Sequence, residues 1–159
     1  MQIAVIGTGN MGTGLASILA KAKHDVVIGS RDMAKAATLA SQIGYGVTGG
    51  DIEAAAKMAD IIILATPFPF AVQTLKAAGD LSKKIIIDIS NPITPDFQGL
   101  TVGLTTSAAE EIQKLAPQAK VVKAFNTIFA QLLPNEAREG KTLQVFIAAD
   151  DAGAKTEEI

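Results

Sequence analysis

Three glycines near the amino terminus carry the clearest chemistry in this chain. Gly7, Gly9 and Gly12 follow the apolar run Ile3 to Ile6, and a helical pattern with Leu15, Ile18 and Leu19 on one side begins at once. Strand, tight turn and helix, in that order, are the context in which a G-x-G-x-x-G sequence binds a dinucleotide. Gly7 permits the sharp turn, Gly9 lets the backbone approach a pyrophosphate, and Gly12 lets the helix pack close to the strand. The N–H groups at a helix start have no partner within the helix and so face the phosphates. Met11 follows Asn10 in the same loop and is placed to pack under the dinucleotide.

A second group sits at the end of the next strand, Asp25-Val-Val-Ile-Gly29. A ribose-binding acid about 20 residues beyond the glycines marks a site for NAD. Here that position is Ser30, followed by Arg31, with Lys35 one helical turn on. A carboxylate would repel a 2′-phosphate, whereas a hydroxyl, a guanidinium and an ammonium bind one through charge-assisted hydrogen bonds. The plainer reading, two solvated cations at a helix start, leaves them opposing the helix dipole without a reason. NADP is therefore expected over NAD. Asp32 is read as the N-cap of the following helix.

In a doubly wound sheet the ligand lies across the carboxyl ends of the strands, so the other strand tips are the places to look. Thr66-Pro67-Phe68-Pro69-Phe70 reads either as a stiff apolar wall for one face of a nicotinamide or as a rigid turn with proline near the helix start. In Asp88-Ile-Ser90-Asn91-Pro92, Pro92 biases Asn91 toward an extended backbone. The Asn91 amide could then meet a carboxamide or a ribose hydroxyl, while Asp88 reads as a turn cap. In Lys123-Ala124-Phe125-Asn126-Thr127, Ala124 leaves room for a flat ring. Asn126 either bonds a substrate or caps the next helix. His24, the single histidine, falls on the side of the sheet away from these tips and is not read as a catalyst.

The elements that position these residues alternate along the chain. Strands are expected at 2–6, 25–29, 61–65, 84–89, 120–124 and 143–148. Helices are expected near 11–22, 32–43, 51–58, 69–78 and 105–116, with a short one at 127–133. Tyr45 to Thr48 reads as an extended connector into a Gly49-Gly50 turn, with Asp51 as the cap of the next helix. The alternation implies a Rossmann α/β fold: a doubly wound, mostly parallel six-stranded sheet in the order 3-2-1-4-5-6, with helices on both faces. The segment from Pro92 to Thr105 has no periodicity. As a long loop beside the inferred site, it is expected to cover a second ligand. Asp150-Asp151 reads as the start of a last helix that runs to Glu157-Glu158-Ile159. Such an ending is expected of a truncated product, a domain cut from a longer chain or a naturally short form.

Composition narrows the function further. The 159 residues suit a single domain, and 48% are hydrophobic with only 4% aromatic, as a sheet buried on both faces requires. A net charge of −2 provides no basic footprint for nucleic acid. The absence of cysteine and the lone histidine exclude thiol chemistry and Cys or His metal sites. No signal peptide or membrane span is read, so the expected location is the cytoplasm.

Gly7-Thr-Gly-Asn-Met-Gly12, Gly29-Ser-Arg31 with Lys35, Thr66-Pro67, Ser90-Asn91-Pro92 and Lys123-Ala-Phe-Asn-Thr127 together resemble the NADPH-dependent coenzyme F-420 oxidoreductase family. They are similar also to the cytoplasmic oxidoreductase domain of six-transmembrane ferric reductases. The resemblance implies that Thr8, Gly9, Asn10 and Met11 hold NADPH and that Ser30, Arg31 and Lys35 hold its 2′-phosphate. It also implies that Thr66 and Pro67, with Ala124, flank the nicotinamide, near Ser90, Asn91 and Asn126. Hydride would pass directly to a small-molecule acceptor, coenzyme F-420, a flavin or a ferric chelate, with no side-chain acid or base. A sensor that binds NADP without turnover is the alternative, and a small hydroxy- or imino-acid dehydrogenase is a weaker one. The resemblance implies a further C-terminal helical part that helps form a homodimer and the second ligand's pocket, and this sequence is read as stopping before it; the family also commonly has glycine where this chain has Lys23.

Overall fold

Alternate residues of each strand point to opposite faces of one sheet, and both faces are apolar. Ile3 and Val5 of the first strand join one buried cluster, while Ala4 and Ile6 join another. The same division separates Ile61 and Ile63 from Ile62 and Leu64. A strand buried on both sides needs a helix layer on each. The computed structural model describes residues 1–157, leaving aside the side chains of Lys155 and Glu157. Glu158 and Ile159, at the end of the expected last helix, lie outside the described residues.

The strands are β1 (Gln2–Ile6), β2 (Asp25–Gly29), β3 (Thr48–Gly50), β4 (Ile61–Leu64), β5 (Ile85–Asp88), β6 (Lys120–Lys123) and β7 (Ala148–Ala149). Their order is β3-β2-β1-β4-β5-β6-β7, parallel except for the antiparallel β7. The helices are α1 (Asn10–Lys21), α2 (Met33–Ile43), α3 (Ile52–Met58), α4 (Ala71–Ala78), α5 (Ala108–Leu115) and α6 (Ala152–Glu157). The core residues of α1, α2 and α6, such as Leu15, Ala36 and Ala154, belong to one cluster, and those of α3, α4 and α5, such as Ala55, Leu75 and Ile112, to the other. Most are alanines, such as Ala16, Ala20, Ala36 and Ala40 against one face, so the helix axes lie close to the sheet. Among the described residues, no helix is long and apolar enough to cross a membrane.

The doubly wound architecture is as expected, but the sheet has seven strands rather than six. The additional strand is β3, where a connector and a Gly49-Gly50 turn were expected. It takes the edge position beside β2, and the 61–64 strand lies beside β1 instead. The close fit of β3 to α2 accounts for the glycine, since a Cβ on Gly49 would lie 2.3 Å from the Ala36 carbonyl oxygen. The expected strand at 143–148 shrinks to the two-residue β7, and the expected helix at 127–133 to a single 3₁₀ turn, Ala130–Leu132. The helix expected from residue 69 begins at Ala71, because Pro69 lies in a 3₁₀ turn, Phe68–Phe70. The helix expected from 105 waits for its cap, Ser107, whose hydroxyl accepts the Glu110 N–H at 3.2 Å. Asp32 and Asp51 cap α2 and α3 as expected, accepting from Lys35 N at 2.9 Å and Ala54 N at 2.7 Å.

Lys23 shows what the departure from glycine means physically. The N–H of Lys23 donates to Ala20 O at 2.9 Å and that of His24 to Leu19 O at 3.1 Å. This pair of bonds is a Schellman motif, which needs a left-handed residue after the helix. Lys23 supplies it with φ of +67°. A non-glycine residue is strained there, and glycine gives back part of the gain as unfolded-state entropy. Lys23→Gly is therefore expected to stabilise the fold by about 0.5–1 kcal/mol, measured by urea denaturation.

Candidate dinucleotide-binding cleft

The parallel register brings five strand ends level. Ile6 pairs with Gly29 and with Leu64, Leu64 with Asp88, and Asp88 with Lys123. The chain leaves β1 and β4 toward opposite faces of the sheet, so a crevice opens between these two neighbours. A cleft of about 220 Å³ lies there, lined by Gly7, Thr8, Gly9, Ser30, Arg31, Thr66, Pro67 and Phe70 among others.

Its floor is the turn from β1 into α1. Gly7 has φ of +130°, and its N–H is tied to Gly29 O at 3.0 Å. A Cβ on Gly12 would lie 2.4 Å from Gly7 O, so only glycine lets α1 start this close to the strand. Gly9 differs from both. A Cβ there would meet nothing within 4 Å, and Gly9 is itself the N-cap of α1, with no side-chain cap bond and no acid in the first turn. The end of α1 is thus left bare, and an anion can use its N–H groups and dipole.

One wall is the tip of β2. The Ser30 hydroxyl accepts the Asp32 N–H at 3.1 Å, which holds the turn into α2. Arg31 and Lys35 are both exposed. Among the described residues neither has an ion pair. The guanidinium carbon of Arg31 lies 5.6 Å from the centre of the Phe70 ring. The opposite wall follows β4. There Thr66 Oγ1 is buried and has no hydrogen-bond partner among the described residues.

The tips of β5 and β6 are locked together. Asp88 is fully buried and lies 2.8 Å from Lys123 Nζ. Asp88 also accepts the Ser90 N–H at 2.9 Å, the turn-capping role expected of it, while Lys123 bonds the Ser90 carbonyl. Asn91 donates its amide to the Asn126 carbonyl at 2.9 Å, and Asn126 donates its own amide to Asn91 Oδ1 at 3.3 Å. Asn126 thus caps no helix. One N–H of each amide stays available beyond this clasp. Ser90 Oγ is buried without a partner among the described residues. Ala124 is fully buried in the core, so its side chain lies beneath the tip surface. Met11 packs partly buried against the same cluster. His24 lies at the far end of β2, away from every strand tip.

The loop from Pro92 to Thr105 folds back on itself through a bridge between Ile93 and Leu100. Its turn is organised by Asp96. The Thr94 hydroxyl, donating at 2.6 Å, and then the Gln98 N–H, at 3.1 Å, hold the Asp96 carboxyl below its ordinary pKa. With Asn126 and Lys123, part of this loop borders a second cleft, of about 770 Å³.

With this geometry in view, the comparisons decide the family. Residues 2–92, more than half of the chain, match the family described as NADP oxidoreductase, coenzyme F420-dependent. The chain belongs to that family. The F420-dependent NADP reductase of Methanothermobacter thermautotrophicus is 34% identical over 169 residues, covering 97% of this chain and 72% of the relative. The crystal structure of a candidate F420-dependent NADP-reductase from Arthrobacter sp. FB24 matches with a TM-score of 0.85 at 36% identity, covering 98% of this chain and 76% of that one. The metalloreductase STEAP3 of Rattus norvegicus is 31% identical over 154 residues, 97% of this chain but 30% of that protein. The chain therefore spans only part of each of these relatives.

Two features of this family member were not read from its sequence. Phe70 was read with Phe68 either as an apolar wall for a nicotinamide or as part of a rigid turn; it lies in a 3₁₀ turn, and its ring lies against Arg31. Lys123 was seen only as part of a motif, although it is the partner of the buried Asp88. A lysine that follows a β-branched strand, level with an acid in the neighbouring strand, was the available signal. Removing one member of a buried pair leaves the other charge uncompensated. Lys123→Met is expected to cost on the order of 3 kcal/mol of stability. Adding Asp88→Asn should recover part of that loss, and chemical denaturation of both variants checks the coupling.

Proposed function

We infer that this chain is an NADP(H)-dependent oxidoreductase that exchanges hydride between the nicotinamide and coenzyme F420. The observation that carries this reading is the bare start of α1 facing the cationic tip of β2 across one cleft. The N–H groups of Gly9, Asn10 and Met11, beside Thr8, are open to a pyrophosphate. Ser30, Arg31 and Lys35 are open to a 2′-phosphate, and the one acid between them, Asp32, is engaged as the cap of α2. The buried, unpartnered hydroxyls of Thr66 and Ser90 fit a polar ligand as well, since orphaned groups of this kind are costly without one.

The nicotinamide supplies hydride chemistry when bound. The chain's own part is to orient it and to exclude water. Pro67 stiffens the β4 turn, the Asn91–Asn126 clasp closes the β5 and β6 tips, and Ala124 lies beneath them. No side-chain acid or base is assigned, and the work is the positioning of two rings. The name of the Methanothermobacter relative and the family's own description favour coenzyme F420 over a flavin or a ferric chelate as acceptor.

The test is oxidation of NADPH in the presence of coenzyme F420, a free flavin or a ferric chelate in turn. Turnover with coenzyme F420 supports the reading. Tight NADPH binding with no oxidation by any acceptor would replace it with an NADP-binding sensor. Arg31→Ala should weaken NADPH binding by about 1.5–3 kcal/mol, the scale of hydrogen bonds to charged groups. NADH binding should hardly change.

A further inference from the structure

Arg31 is the residue on which selection of a 2′-phosphate depends most, and the fold does little to place it. It stands between the Ser30 turn and the start of α2, where the helix dipole disfavours a cation. Among the described residues it makes no ion pair and no side-chain hydrogen bond. What meets it is Phe70, which arrives from across the cleft on the 3₁₀ turn after β4. The separation of 5.6 Å lies within the range of a cation–π contact. Phe70 is 44% exposed, so burial alone does not explain a large ring at this position. Pro67 and Pro69 stiffen the turn that carries it, and the Phe70 N–H is bonded to Pro67 O at 2.9 Å.

We propose that Phe70 is a specificity-determining residue that positions Arg31 for a 2′-phosphate. The guanidinium carbon lies over the ring, and a guanidinium held there keeps N–H groups free for phosphate oxygens. A free arginine side chain at this surface must lose rotamer entropy when it binds, and a side chain held in place beforehand loses less. Phe70 therefore acts on the adenosine end of the dinucleotide, not on its nicotinamide. It also joins the β2 and β4 walls across the mouth of the cleft. The proposal rests on the reading of Arg31 as a 2′-phosphate ligand.

The experiment is fluorescence titration with NADPH and with NADH on the wild-type chain and on Phe70→Leu, Phe70→Trp, Arg31→Ala and the Arg31→Ala/Phe70→Leu pair. Phe70→Leu should weaken NADPH about three- to tenfold, the range of a partly exposed cation–π contact. NADH should stay within twofold. Phe70→Trp keeps a ring face and should preserve the preference for NADPH, which a role in shape alone would not. In the Arg31→Ala background, Phe70→Leu should have no further effect on NADPH. Equal weakening of NADPH and NADH by Phe70→Leu would overturn the proposal and make Phe70 a general wall of the cleft. An undiminished effect without Arg31 would overturn it as well. If Arg31→Ala itself weakens both dinucleotides alike, the 2′-phosphate reading fails first, a result visible without any Phe70 variant.

Discussion

The approach of α1 to β1 is the constraint on which the rest of the site depends. It is possible because neither Gly7 nor Gly12 has a side chain where the Gly7 carbonyl, the Ala65 backbone and the start of the helix converge. One added methyl at Gly12 would meet backbone, which cannot move aside without displacing the sheet. The consequence is electrostatic. The positive end of a twelve-residue helix is brought to the centre of the sheet's carboxyl edge and left uncapped. The caps of α2, α3 and α5 are Asp32, Asp51 and Ser107, side chains that satisfy such an end locally. A cap of that kind on α1 would fill the place a phosphate needs.

Around that point the strand tips divide into two kinds. On the β2 side they are open, with cations that make no ion pair among the described residues and one aromatic ring. On the β5 and β6 side they are already bonded to each other, through the buried Asp88–Lys123 pair and the Asn91–Asn126 clasp. Open groups take up a charged ligand, whereas a bonded frame holds its geometry and leaves a few defined hydroxyls to be satisfied. The dinucleotide reading needs both kinds, because one end of the ligand is held by charge and the other by placement.

The parts of this arrangement with a local cause were legible in the sequence. The glycine turn, the caps Asp32 and Asp51, and the cationic β2 tip each follow from neighbours a few residues apart. Lys23 was visible as a departure, and its left-handed backbone accounts for it. What escaped depends on contacts between distant residues. Gly49 and Gly50 read as a turn by composition, yet they pair with β2 as a strand, and α2 lies against Gly49. Residues 143–147 are apolar enough for a strand, but only Ala148 and Ala149 pair with β6. Phe70 was read into the right cleft, but its contact with Arg31 was not, since nothing near it in the chain indicates that its ring will cross to β2. Asn126 was weighed as a helix cap, but the next helical turn, Ala130–Leu132, is capped at Phe129, and Asn91 Oδ1 accepts the Asn126 amide.

On this reading the bare α1 start and the cationic β2 tip together select a dinucleotide with a 2′-phosphate. Equilibrium titration of the wild-type chain with NADPH and NADH, under one set of conditions and at one ionic strength, tests it most directly. The account predicts that NADPH binds at least about tenfold more tightly, the factor that corresponds to the lower end of a charge-assisted hydrogen bond. Equal affinity, or a preference for NADH, would contradict it.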